Sequence, residues 1–303
     1  MYKEYYGLDP GYVQILGTFV GLPWSFKIVY GLISDNCPLF GSRRRSYLIL
    51  LSLLQVVSTL LLATYYGNNE RWAAFLLMCM SLSVAAMDVI VDSIMVIQSR
   101  HFPEDGSEQL QAFSWNCLAL GGIVASLAGG FLTQNFHPNY SFMAAAVPSV
   151  ALLILSYSLP PSIERVEVES DEAPRGFVPE LKQNISEIIQ AITIPVFHRV
   201  IIYLVLGGLL VPSFGSFGYY FMLDVVKISK FTIAMLGVIG YICLMIGSSL
   251  YHQFFSRTEF RKLMVYNTII GLMFAPLNML FVLRKNEQYG LPDMFVIIFT
   301  DVV

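Results

Sequence analysis

Apolar runs of about 20 residues, the length of helix that crosses a bilayer, recur along this chain of 303 residues. They lie at roughly 11–34, 47–66, 72–97, 112–134, 140–160, 198–223, 231–254 and 262–285, and a ninth begins near Met294. Only helices and closed barrels satisfy every backbone polar group in hydrocarbon, and uninterrupted runs of this length spell helices. The expected fold is therefore all-α: a polytopic membrane protein of about eight complete transmembrane helices and a partial one. Composition agrees, because 13% of the residues are charged and 56% are hydrophobic, against about 25% charged in a soluble domain.

Charge and scattered polar residues exclude several functions. A formal net charge of −3, with the basic residues spread among loops, offers no nucleic-acid footprint. Cys37, Cys79, Cys117 and Cys243 are far apart, as are His101, His137, His198 and His252, so no disulfide framework, zinc spacing or metal site follows. Paired histidines, a nucleophile elbow and a phosphate loop are all missing from the sequence, which argues against an enzyme and implies no cofactor.

Basic residues in alternate loops set the orientation. One side takes Arg43, Arg44, Arg45, Arg100, Arg165, Arg175, Lys182, Arg199, Arg257, Arg261 and Lys262; the other takes Lys3, Arg71, Lys227, Lys230, Arg284 and Lys285. The first side is assigned to the cytoplasm. On it lies the segment GLISDNCPLFGSRRR, residues 31–45. An acidic residue, Asp35, ends one membrane helix there, and Arg43, Arg44 and Arg45 precede the next, a charge placement that suggests a transporter gate. The triplet Asn139-Tyr140-Ser141 falls outside but hugs the membrane and Asn184-Ile185-Ser186 falls inside, so neither is expected to carry glycan.

Composition shifts between Pro160 and Pro195. Glu164, Glu167, Glu169, Asp171 and Glu172 form an acidic stretch, after which Phe177, Leu181, Ile185, Ile188, Ile189 and Ile192 recur at helical spacing, as in a helix lying on the membrane surface. The expected division is an N-terminal bundle of five helices over 1–160, a cytoplasmic linker with an amphipathic helix over 161–197, and a C-terminal bundle over 198–303.

Charges inside membrane helices are costly, at least about 2.5–3.5 kcal/mol on insertion scales, and mark function. Lys27 in the first run and Asp88 in the third sit about 16 residues, or about 24 Å, from the outer ends of their helices, so they share a depth. Asp92 is one turn from Asp88 on the same face, and two carboxylates so placed need a cation or a proton between them. Lys27 is the expected cation. In the functional reading the three line a polar pathway for substrate or protons; in the structural one, Lys27 snorkels to the inner surface and Asp92 meets water.

Small residues mark close contacts: Gly121, Ala125 and Gly129 repeat every fourth position, with Gly122 and Gly130 beside them. Pro212 and its neighbouring glycines interrupt the sixth run. The aromatic residues there, Phe214, Phe217 and Tyr220, suit either a cavity wall against a flat heterocycle or an interfacial belt.

Leu22-Pro23-Trp24, Lys27, Gly31, Ser34, Asp35, Gly41, Arg43, Arg44, Arg45, Tyr47-Leu48 and the DVIVD of 88–92 together resemble the folate–biopterin transporter family of the major facilitator superfamily. Weaker echoes stand at Pro212-Ser213, Leu236-Gly237, Tyr251, Arg261 and Pro292-Asp293. The resemblance implies two six-helix bundles that rock about a central site and carry folates or pterins, in some relatives with protons. It implies that Trp24, Lys27, Asp88, Asp92 and Trp115 belong to the pathway, and that Gly31, Asp35, Gly41, Arg43, Arg44 and Arg45 form the cytoplasmic gate. Where the family pattern commonly has proline after the lysine, Ile28 stands here, so a straighter helix is expected. The match also implies a chain lacking the family's first helix and its last two to three. A carrier of another organic anion, or a non-transporting membrane scaffold, are the alternatives.

Overall fold

A computed structural model describes residues 6–64, 69–100, 106–160, 177–210, 215–255 and 258–299. Its helices are α1 (Pro10–Gly21), α2 (Lys27–Asn36), α3 (Arg45–Thr64), α4 (Glu70–Ser99), α5 (Gly106–Asn135) and α6 (Pro138–Ser158). After these come α7 (Phe177–Thr193), α8 (Pro195–Leu210), α9 (Gly215–Asp224), α10 (Lys230–Leu250), α11 (Phe260–Val282) and α12 (Asp293–Ile297). Among the described residues the only β pairing is an isolated bridge between Leu39 and Ser42.

Seven helical segments, counted among the described residues, are long and apolar enough to cross a membrane, the first being Pro10–Asn36. Lys182–Thr193 and Pro195–Leu210 make an eighth if taken together, although they meet at an angle of 84°. The all-α, multi-pass expectation holds. The run expected at 198–223 appears as α8 and α9, with 211–214 outside the described residues. The partial ninth run begins as α12.

The first helix departs from expectation in one detail. A 3₁₀ turn, Leu22–Phe26, separates α1 from α2. Pro23 lies near its start and carries no N–H, and the Pro23 carbonyl accepts a hydrogen bond from the Tyr30 hydroxyl at 3.0 Å. The irregularity thus precedes Lys27, and Ile28 continues an ordinary helix.

Spatially the chain falls into two units, Met1–Ile97 with Pro138–Tyr220, and Gln98–His137 with Phe221–Val303. In the first, α3 packs along α6. Its contact face carries small side chains, with Ser52 and Thr59 fully buried and Ser156 5% exposed, and the Ser52 and Ser156 hydroxyls lie 3.1 Å apart. Small polar residues let helices approach closely and bond where lipid offers nothing. Leu48 on α3 meets Met87 and Ile90 on α4, and Leu62 meets Ala73 and Leu76, which sets an antiparallel register.

The second unit pairs α5 with α10. A Cβ at Gly122 would run into the Tyr241 ring, one at Gly130 would strike Ala234, and one at Gly237 would come within 3.2 Å of Ser126 Oγ. The close-packing stripe is therefore Gly122, Ser126 and Gly130. A Cβ at Gly121 or Gly129, which also repeat at four, would meet nothing within 4 Å; the two glycine sets repeat alike, and only the partner helix distinguishes them. At the far end of this unit, Arg284 bonds Asp293 at 2.9 Å, and Asn286, fully buried, bonds the same carboxylate at 2.7 Å.

Candidate functional site

The site begins with the 3₁₀ turn of the first unit. In a 3₁₀ turn side chains at i and i+3 eclipse, which stacks Trp24 and Lys27: the Lys27 ammonium sits 4.6 Å from the Trp24 ring centroid, within cation–π range. The same ammonium forms an ion pair and hydrogen bond with Asp88 Oδ2 on α4. Both side chains are partly screened, 37% and 40% exposed, so the pair borders an opening rather than a sealed core. Asp92 lies one turn on, exposed; among the described residues no hydrogen bond or ion pair joins it. The equal depth of Lys27 and Asp88 thus yields a direct pair, and Lys27 serves Asp88 rather than bridging both carboxylates.

A cavity of about 650 Å³ opens beside Asp88 between α3, α4 and α6. Leu48, Met87, Val91 and Leu152 give it apolar walls, while Gln55 and Asp88 supply polar groups. Such a volume falls in the range of about 300–1,000 Å³ typical of small-molecule sites, as does the mixture of apolar walls and few polar groups.

The loop from Gly31 to Arg45 sits at the cytoplasm-assigned end of the same unit. Gly31 packs α2 against α4, where a Cβ would sit 3.5 Å from Val89. Leu39 and Ser42 exchange backbone hydrogen bonds at 2.9 Å across Phe40 (φ 50°) and Gly41 (φ 78°). Positive φ at both central positions is the signature of a type I′ turn, which explains a glycine at 41. Arg44 Nη2 meets Asp35 at 3.3 Å and Arg44 Nε donates to Ser93 Oγ at 2.8 Å. Arg45 Nη2 donates to the Tyr157 carbonyl at 2.7 Å, at the C-terminus of α6, where a cation complements the helix dipole. Arg43 is exposed. The loop therefore ties α2, α3, α4 and α6 of one unit together.

One contact was not anticipated. The Asn184 amide on α7 donates to Asn36 Oδ1 at 3.1 Å, and Asn36 in turn donates to the Leu32 carbonyl at 2.8 Å. Asn36 is 5% exposed. The linker helix is thereby fastened to the end of α2, and no feature of a glycosylation-type triplet could have announced it.

Other anticipated residues lie elsewhere. Trp115 stands on α5, in the second unit, so the geometry joining Trp24, Lys27 and Asp88 does not include it. Phe217 is 46% exposed and Tyr220 is 8% exposed on α9, while Phe214 lies outside the described residues. Among those residues no cluster of His, Cys, Asp or Glu could hold a metal ion.

A bundle of helices long and apolar enough to span a bilayer, with a charged pair inside its spans, defines a multi-pass integral membrane protein. The BT1 family model matches residues 1–303, and the chain belongs to that family. Over 294 residues it is 28% identical to the folate-biopterin transporter of Synechocystis sp., covering 96% of this chain and 57% of that protein. It is 23% identical to probable folate-biopterin transporter 4 of Arabidopsis thaliana, covering 98% and 72%. With folate transporter 1 of Plasmodium falciparum it shares 24% identity, covering 99% and 57%. Against two of these three relatives the chain spans little more than half of their length. No solved structure matches.

Proposed function

We propose that this chain forms part of a secondary-active carrier that moves folate- or pterin-type molecules by alternating access. The observation that carries the reading is the Lys27–Asp88 pair, two charges held within spans of the first unit beside a cavity of about 650 Å³. Charged residues in membrane spans are expensive and are retained where they serve substrate or ion pathways. Trp24, Lys27, Asp88 and Asp92 belong to that pathway, with Phe217 and Tyr220 of the aromatic stretch as further candidates in the same unit.

Asp92, exposed and one turn from a carboxylate already paired, is the group that exchanges a proton, so transport is coupled to protons. Asp35, Arg43, Arg44 and Arg45, on the turn made by Gly41 and beside Gly31, form the cytoplasmic gate. In this reading the carrier is of major-facilitator type, with bundles at 1–160 and 198–303 joined by the 161–197 linker.

The test is accumulation of labelled folate by cells expressing the chain. Excess biopterin should suppress uptake severalfold, while an unrelated organic anion should not. Equal suppression by both would replace the pterin assignment with a general anion carrier. Expression at the membrane without any uptake would remove the transport reading of this chain.

A further inference from the structure

We infer that the cavity between α3, α4 and α6 seats the pteridine ring lengthwise, with Asp88 accepting from the ring's N–H edge and Gln55 accepting from a donor on the substituent beyond it. This rests on the carrier reading above and adds an orientation and a selectivity residue to it.

Gln55 is the starting point. It lines the cavity, and its amide oxygen is buried with no hydrogen-bond partner among the described residues. An amide oxygen removed from water without a donor is destabilising, and a native protein tolerates such a group where a ligand or water completes it. Asp88 is the cavity's charged acceptor; Ser156 and Ser158 also line it, but the Ser156 hydroxyl pairs with Ser52 and the Ser158 hydroxyl donates to the Ile154 carbonyl. One Asp88 oxygen takes Lys27; a carboxylate has further lone pairs, and these accept from neutral N–H groups. Because Lys27 already balances its charge, a neutral ring docks there without adding charge to the span.

The register of the helices sets the separation of the two acceptors. Leu48 packs at Met87 and Ile90, and Leu62 packs at Ala73 and Leu76. Gln55, midway between Leu48 and Leu62, therefore lies level with about position 81–82 of α4, some six residues from Asp88, or roughly 10 Å at 1.5 Å per residue. That is the scale of a bicyclic ring plus the first atoms of its substituent. At the levels between the two acceptors α4 presents the apolar side chains of Val84 and Met87 to the cavity, which suits the face of a flat ring.

A 2-amino-4-oxo pteridine matches this spacing. Its amino group and ring N–H form a donor pair on one edge, suited to a carboxylate. Folate and biopterin both carry a further donor on the substituent at the opposite end, an amine N–H in one and hydroxyls in the other. Unsubstituted pterin carries none. Gln55 would then be the group that reads the feature shared by two otherwise different molecules.

The experiment titrates pterin, biopterin and folate against the full chain in lipid nanodiscs, following ligand fluorescence, for wild type, Gln55→Leu and Gln55→Met. Loss of one hydrogen bond predicts about tenfold weaker binding of biopterin and folate, with pterin binding retained within about twofold; retained pterin binding also reports that each variant is folded. Equal loss for all three ligands in both variants, no loss for any, or no binding of any by wild type would overturn the assignment. Folate uptake measured in parallel separates it from the carrier reading. Uptake without any effect of Gln55 overturns the seat and leaves the carrier standing. Selective binding by a chain that moves no folate supports the seat and removes the carrier.

Discussion

Removing both members of the Lys27–Asp88 pair should cost less than the two single removals add up to. Two unit charges about 4 Å apart attract by about 4 kcal/mol at an effective dielectric of 20. Side-chain exposures of 37% and 40% admit water, and fully exposed pairs contribute only about 0.2–1 kcal/mol; a coupling of about 1–2 kcal/mol lies between these limits. Asp88→Asn leaves the Lys27 ammonium in the span against the Trp24 face without its carboxylate partner, and Lys27→Met leaves the Asp88 and Asp92 carboxylates a turn apart without the Lys27 ammonium. Each single variant should therefore lose about 1–3 kcal/mol, and the double variant should be more stable than the sum of the two losses predicts. The assay is thermal unfolding in detergent, followed with a thiol-reactive dye at the four free cysteines. Additivity within about 0.5 kcal/mol would refute the pairing as a coupled unit.

Gly122→Val should destabilise the α5–α10 pair by about 1–3 kcal/mol through overpacking against Tyr241, whereas Gly121→Ala, facing open space, should stay within about 0.5 kcal/mol; equal melting shifts would move the contact stripe back to the other glycines. In a background lacking the native cysteines, Asn36→Cys with Asn184→Cys should form an oxidant-dependent crosslink, seen as a mobility shift; none would mean that α7 does not rest on α2. Phe40 is 99% exposed at φ 50°, so Phe40→Gly should relieve the left-handed strain and raise stability by up to about 1 kcal/mol. A lowered melting temperature would contradict that.

Helix number and type were legible because the bilayer imposes a length and forbids open backbone, so apolar runs translate directly into spans. The meeting of Lys27 and Asp88 was legible for a related reason: equal depth from the outer surface brought two charges to one level. Depth alone could not separate Asp88 from Asp92, since that depends on which turn faces α2. Helix register escaped in the same way, with Gly122 rather than Gly121 in contact because only Tyr241 on the partner helix decides between them. The arginine loop was visible as charge, but its bonds to Ser93 and to the Tyr157 carbonyl join residues about 50 and 112 positions away, which no local pattern encodes. Gln55 and the Asn36–Asn184 contact carried no signal at all: a lone amide in a helix reads as packing until its neighbours are in place.

Folate counterflow in proteoliposomes is the most direct measurement, comparing wild type with Asp88→Asn at matched protein incorporation. Exchange of labelled for unlabelled folate by wild type, reduced at least about tenfold in the variant, is the expected result if the charge at Asp88 serves the pathway. Undiminished exchange in Asp88→Asn would reduce the Lys27–Asp88 pair to a structural staple and move the substrate site elsewhere.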